Sequence, residues 1–534
     1  MTETTQHVPF TIESKPFLDP KIFGDGNIPN EVAQLMLDPA LLHRIKLELD
    51  RFIIGEDENK LLLFLIGASS YTDWNLSAII TGSSSSGKSW LKSNVLKLFN
   101  NVERYTRITS AAPDRSGKNY HKKILDLEEL IGAEAAQRSL KIMISEGNLS
   151  LLTTAKDEES GKIRTEVITT VGIPTFITTT TNPEIDSELL NRVFILSINE
   201  STPQTQNILK FEAKKFQMLG PKNEEQEKPN PVYNELIRQL SFIDRVYIPF
   251  TEILADSFPI PQGENSVAPR RDFVKLLYLI ATVAWLHQAQ RSIAAKTFQS
   301  QDNGESKEKI VPGEKIIIAS PQDFFLVAEI CKEGFLRTLF KLSEKHKMIL
   351  EKFVDDKART VADIAEATGL SESRTRQFLN SLMRKGYLSK DTSQKTHTYK
   401  MKQKADINGA KQLFTISAES LSQNSLEKWL KNNNYKILFQ QNSSETYISP
   451  ITGETLSTPS TTKRNLSQEQ NKQENNTISQ TETKNISNPE NAPSPQSCWL
   501  CKKFLPQDLA DTTILEGRPV HLSCYLELKQ HGGG

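Results

Sequence analysis

The sequence predicts an α/β fold with a mainly parallel sheet, and three observations lead there. Short β-prone runs at Leu76–Thr81, Ile124–Leu127, Thr175–Thr181 and Val193–Ile198 alternate with stretches of helical periodicity. A loop rich in glycine and serine, residues 82–89, separates the first run from the helical segment Trp90–Phe99. The apolar patterning then fails after residue 451, which sets a long body apart from a small cysteine-bearing tail. A length of 534 residues suggests three or four domains at roughly 150 residues each.

Taken in order, residues 1–38 form a polar amino-terminal extension with little periodic signal. Residues 39–260 hold the strand–helix alternation of the core, and 261–343 form a helical lid centred on 273–290 and 324–342. Its polar insert, SQDNGESKEK at 300–309, is expected to loop out. Residues 344–404 read as a winged helix: helices at 346–354, 361–367 and 374–385, the turn GLSES, then a strand–turn–strand pattern. A helical extension is expected at 405–450. From Ile451 to Ser497 there is no Phe, Tyr, Trp, Val or Met, so burial cannot offset chain entropy and a disordered linker is expected. Residues 498–534 form the tail.

Composition narrows the class. Lys plus Arg and Asp plus Glu each total 65, so the net charge is zero, which excludes a uniformly basic coat but not a local basic patch. Only four cysteines occur, which excludes a disulfide scaffold. The first residues lack a basic and an apolar region, and the longest uncharged apolar run, Leu276–Leu286, is far short of the roughly 20 residues that span a bilayer. No membrane partner and a cytoplasmic location are expected.

Residues Gly82, Ser83, Ser84, Ser85, Ser86, Gly87, Lys88 and Ser89 spell G-x-x-x-x-G-K-S between a strand and a helix. In that setting backbone N–H groups turn inward around phosphate oxygens, and the helix adds its positive end. Lys88 is expected to reach the β/γ-phosphates of ATP, and Ser89 to offer its hydroxyl to Mg²⁺. Downstream, KKILDLEEL at 122–130 supplies an acidic strand end in one of two registers. With the strand at Ile124–Leu127, Glu128 is the metal-side acid and Glu129 polarises the attacking water; with an earlier end, Asp126 takes the metal side and Glu128 or Glu129 acts as base. The first register is preferred, because it places adjacent acids just past the strand.

Two further patterns stand out. The arms SLLTT and IRTEVITTV flank a polar tip, AKDEESGK, and predict a long hairpin over 149–173. In the tail, Cys498, Cys501, His521 and Cys524 form Cys-x₂-Cys…His-x₂-Cys, suited to tetrahedral structural Zn²⁺. Four protein ligands leave no open position, so a catalytic metal is not implied.

The order of these features resembles that of AAA+ ATPases, and more narrowly the minichromosome maintenance helicases and their mobile-element relatives, over about residues 40–400. The carriers are IIGEDENKLLLFLIGAS (53–69), GSSSSGKS, the acidic strand, EAAQRSLKIMISEGNLSL (134–151), FITTTTNP (176–183), ELLNRVF (188–194) and APRRDFVKLLYLI (268–280). The resemblance implies a hexameric ring in which Asn182 senses the γ-phosphate or attacking water. It makes Arg192 a finger given in trans, and Arg271, with Arg270 close behind, the second sensor. It also implies that the hairpin projects into a pore, where Lys156, Lys162 and Arg164 hold DNA; the acids at 157–159 favour instead a solvated surface hairpin. The sequence departs from the family in its four serines, in DLEE for Asp-Glu, and in the short segment before the core.

The winged helix carries net +7 over 371–404, with Arg374, Arg376, Arg384 and Lys395 as candidate DNA contacts; protein docking is the other use of such a unit. The expected function is an ATP-driven, ring-forming DNA helicase or translocase in replication, of a mobile element. The alternative is an AAA+ initiator or transcription regulator that uses ATP as a switch; a non-hydrolysing scaffold ranks last.

Overall fold

The computed structural model describes residues 28–459, apart from 110, 131–133, 157–162, 183–184, 218–227, 241–242, 244, 261–268, 303–304, 354–356, 393–396, 403–409, 423–425 and 441–445, together with 512–515 and 518–521. Two units are distinct, Met1–Thr461 and Thr462–Gly534.

The first unit opens with helices α1 (Asn30–Leu37), α2 (Leu41–Asp50) and α3 (Asp57–Ser69). Strand β1 (Ala78–Thr81), helix α4 (Lys88–Leu96), β2 (Val102–Tyr105), β3 (Ile124–Leu127) and α5 (Glu134–Glu146) follow. Then come the hairpin strands β4 (Asn148–Lys156) and β5 (Ile163–Val171), and strands β6 (Thr175–Thr180) and β7 (Phe194–Ser197). The main sheet is parallel, in the order β2-β3-β6-β1-β7. Strands β1, β3, β6 and β7 are buried almost throughout, as a covered parallel sheet requires, while the edge strand β2 is half-buried. Alternation divides the faces: Ala78, Ile80 and Ile177 join the large core, while Ile79, Leu125 and Phe176 join a second core with Leu140 and Met143 of α5.

Beyond the sheet lie α6 (Thr202–Gln217), α7 (Pro231–Gln239), β8 (Val246–Tyr247), α8 (Pro269–Leu286), β9 (Ser292–Asp302), β10 (Glu305–Ile318) and α9 (Pro321–Phe340). Helices α8 and α9 are the two halves of the expected lid. Lys275 of α8 is buried; its Nζ pairs with Asp272 at 2.8 Å and donates to the Val193 carbonyl at 3.0 Å. Burial drives the Lys275 pKa down against the pull of Asp272. On α9, the Thr338 hydroxyl accepts from the Ile195 N–H at 3.0 Å, which fixes this helix on β7.

The winged helix comprises α10 (Glu344–Leu350), β11 (Arg359–Thr360), α11 (Val361–Thr368), α12 (Glu372–Arg384), β12 (Leu388–Asp391) and β13 (Thr398–Met401), with the sheet order β11-β13-β12. Thr360 and Asp363 form a capping box at the start of α11, and Gly369 closes it with φ +68°. Tyr387 is core, its hydroxyl donating to the Phe340 carbonyl at 2.9 Å.

Four expectations are corrected. The extension 1–38 contains α1, because Val32, Ala33 and Met36 bury one face. The insert 300–309 belongs to the long antiparallel hairpin β9/β10, whose ladder runs from Ser292↔Ile318 to Asp302↔Glu305. The extension 405–450 is not only helical: after α13 (Leu426–Asn432), β14 (Tyr435–Phe439) joins β9, and β15 (Thr446–Ile448) pairs with β16 (Thr455–Ser457). That last pairing also carries ordered chain past residue 451, where Ile451 packs on the large core. In the second unit, β17 (Thr512–Leu515) and β18 (Arg518–His521) pair antiparallel.

Candidate nucleotide-binding site

Four loops leave the carboxyl edge of the parallel sheet side by side, the place where open α/β sheets bind ligands. They carry residues 82–89 after β1, Glu128 and Glu129 after β3, Thr181 and Asn182 after β6, and Asn199 and Glu200 after β7. The register aligns Thr81 with Thr180 and Ser197. Leu127 lies opposite Thr178, so Glu129 stands near the level of Thr180.

The loop after β1 has the shape its glycines permit. Gly87 sits at φ +92°, where side chains are rarely accommodated, and α4 begins at the next residue. A Cβ on Gly82 would come within 2.6 Å of the Ser86 Oγ. Ser85 also turns through positive φ, at +61°, and Ser84, Ser85 and Ser89 are exposed. The Lys88 Nζ folds back over the loop, donating to the Ser83 carbonyl at 2.5 Å and the Gly82 carbonyl at 3.3 Å. Burial lowers its pKa; Glu200 and Glu129 oppose that shift, and Arg374 and Lys345 add to it.

Strand β3 ends at Leu127, which is the first of the two registers considered. Glu128 and Glu129 emerge exposed beyond it, with the Glu128 carbonyl accepting from the Thr179 hydroxyl at 2.7 Å. Asp126 instead points into the body, 1% exposed, and is paired with Lys92 at 2.6 Å and Arg104 at 2.8 Å.

Sequence reasoning missed Glu200. Its carboxylate accepts from the Ser83 N–H of the phosphate loop and pairs with Lys345 at 2.6 Å. Burial works to raise its pKa, but the hydrogen bonds from Lys345 and Ser83 outweigh it and hold the carboxyl below its usual range. An acid two residues past the apolar run Val193–Ile198 was the one available signal. Glu56 was missed too. Gly55 and Glu56, both at positive φ, turn its carboxylate to accept from the Asn199 N–H at 2.7 Å, and burial raises its pKa.

Glu56, Gly82, Ser83, Asn182 and Glu200 border a cleft of about 700 Å³, with α9 and the winged helix on the far side. The lid cations on this cleft are Arg337 of α9 and Lys341 just past its end, whereas Arg271 is exposed at the start of α8 and does not border it. Arg192 does not border it either. Its guanidinium donates to the Glu188 carbonyl at 2.8 Å, to the Glu188 carboxylate at 2.9 Å and to the Ser145 hydroxyl.

The expected hairpin is present as β4/β5, with Lys156 opposite Ile163 and Arg164 opposite Ala155. The tip, with Lys162, lies outside the described residues. Leu152 and Val167 face each other across the hairpin and are 69% and 60% exposed.

Of the winged-helix residues, Arg376 and Arg384 are exposed on α12, and Lys395 lies outside the described residues. Arg374 borders the cleft. Its Nη2 donates to the Thr181 carbonyl at 2.7 Å, and its guanidinium lies 5.5 Å from the Phe378 ring centroid. In the tail, His521 ends β18, while Cys498, Cys501 and Cys524 lie outside the described residues. Among the described residues no cluster of three His, Cys, Asp or Glu side chains is arranged for a metal. Among them, too, no helix is long and apolar enough to cross a membrane.

Residues 348–392 match the IclR helix-turn-helix domain. The chain thus carries a helix-turn-helix domain of winged-helix-like, DNA-binding type, and DNA is the partner this domain supports. No ring-ATPase family matches the chain, and no curated protein matches it.

Proposed function

We propose that the chain is an ATPase of the AAA+ type that assembles into a ring and acts on DNA. The observation that carries the reading is the convergence of Lys88, Glu129 and Asn182 on one sheet edge from three separate strands. Phosphoryl transfer is accelerated chiefly by positioning and charge stabilisation, and such a convergence supplies both. Lys88 would neutralise the triphosphate, Glu129 would polarise the attacking water and Asn182 would orient it. Ser89 and Glu128 offer the exposed oxygen donors that suit Mg²⁺, which would screen the phosphate charge. Arg192, away from its own cleft, would serve the neighbouring subunit, so a ring is part of the proposal.

Two uses of the ATPase are in view. A translocating motor, helicase included, is favoured by the hairpin β4/β5, whose exposed Leu152–Val167 pair is unusual on a solvated surface. A nucleotide switch acting in initiation or transcription is favoured by the contact of the DNA-binding domain with the cleft. The tail cysteines and His521 would hold one structural zinc, and metal analysis of the full chain should return one equivalent.

Phosphate release from ATP tests the reading. Lys88→Ala should reduce turnover by about 10²-fold or more, and undiminished turnover would remove the loop from the mechanism. A forked-duplex assay separates the two uses: hydrolysis without strand separation, on either tail polarity, selects the switch.

A further inference from the structure

The recognition helix of a helix-turn-helix unit reads DNA with its amino-terminal residues. In this chain that end of α12 is already engaged. Ser371 caps the helix, and one turn in, Arg374 reaches the carbonyl of Thr181, next to Asn182, at 2.7 Å. A second tie lies beside it: Lys345, at the start of α10, pairs with Glu200, whose carboxylate also accepts from the phosphate-loop N–H of Ser83. The winged helix is thus fastened to the β6 loop and, through Glu200, to the phosphate loop.

The partners of Arg374 are weak for so demanding a group. The Thr181 carbonyl, the Gln377 amide oxygen at 3.2 Å and the Phe378 ring are all uncharged. Lys88 lies near enough for the two positive charges to disfavour each other. Arg374 borders the cleft together with Gly82 and Ser83 of the phosphate loop and with Asn182, which leaves a place for an anion beside the guanidinium. A terminal phosphate there would give the guanidinium a charged, fork-matched partner, and such hydrogen bonds are roughly twice as strong as neutral ones.

We propose that Arg374 is a ligand of the terminal phosphate, supplied by the recognition helix of the same chain, so that a nucleoside triphosphate and duplex DNA compete for the amino-terminal end of α12. The proposal rests on reading the cleft as a nucleotide site. Triphosphate seats the helix end against the sheet; DNA in the major groove requires that end to be free. By linkage, each ligand weakens the other by the same factor.

The test uses the full chain, a non-hydrolysable ATP analogue, ADP and a duplex, at fixed salt. Saturating analogue should weaken duplex binding by wild type about tenfold or more, and should have no effect on duplex binding by Lys88→Ala. Arg374→Ala should lose about ten- to a hundredfold in affinity for the analogue while keeping its affinity for ADP, which also certifies its fold. Arg374→Lys, which keeps the charge and loses the fork, should fall between. If wild type binds the analogue and duplex affinity stays level or rises, the competition is overturned. Should Arg374→Ala bind the analogue as tightly as wild type, the contact is overturned. In both cases the nucleotide site still stands. Failure of wild type to bind any nucleotide overturns the site and the proposal together.

Discussion

Lys92 and Asp126 form an ion pair at 2.6 Å with side chains only 3% and 1% exposed, and it ties the helix behind the phosphate loop to the strand that presents the acidic pair. Lys92 also donates to the Leu127 carbonyl at 2.8 Å, so the ammonium is held by both the side chain and the end of β3. Breaking such a pair from one side strands a buried charge. Asp126→Ala should therefore destabilise the chain by about 3–5 kcal/mol in urea unfolding. Arg104→Ala, whose side chain is 58% exposed, should cost about 1 kcal/mol or less. Equal losses would show that Lys92 is not the partner that matters.

Arg192 is held in its own chain by Glu188 and lies off its own cleft. Arg192→Ala should lower ATP turnover by about 10³-fold, and Glu129→Gln should do likewise. Mixing the two variants should restore part of the activity, because some interfaces then pair an intact Glu129 with an intact Arg192. A normal rate from Arg192→Ala alone would exclude it as a finger.

Stability should depend on pH through His287. Burial pushes its pKa down to about 4, with the nearby Arg291 charge acting the same way. The unfolded chain, near 6.5, then binds more protons than the folded one between these values, so stability rises with pH across that window. Lowering the pH from about 6.5 to about 4 should remove about 3 kcal/mol from this residue alone. Buried His346, whose pKa is also lowered by burial, adds to the loss with the same sign. Urea unfolding along a pH series checks this, and His287→Gln should flatten the curve.

Arg376 stands exposed on α12, away from the cleft contact. Arg376→Ala should weaken duplex binding and reduce the slope of log affinity against log salt by about one, read by fluorescence anisotropy. An unchanged slope would take Arg376 off the DNA backbone.

Much of this architecture was legible because its signals are local. The strand–loop–helix around Gly82–Ser89 and the acids after Leu127 are set by neighbours in sequence, and the sheet places them as their spacing predicts. The winged helix was legible for the same reason, from its caps and its glycine turn. What escaped depends on distant chain. The hairpin β9/β10 is too polar along much of its length to show a strand pattern, and is fixed by pairing with β8 and β14. Arg374 sits among other cations in the sequence, which suggests a DNA-facing surface. Its contact with Thr181 spans 193 residues, so nothing near it in sequence distinguishes it from Arg376.

Lys275 grips the carbonyl of Val193, immediately after Arg192 in the chain. Helix α8 therefore cannot tilt without tugging the backbone that carries the arginine. In the ring proposed above, each lid would act as a lever whose far end lies in the adjoining subunit's cleft, and hydrolysis in one member would then be timed by the posture of the next.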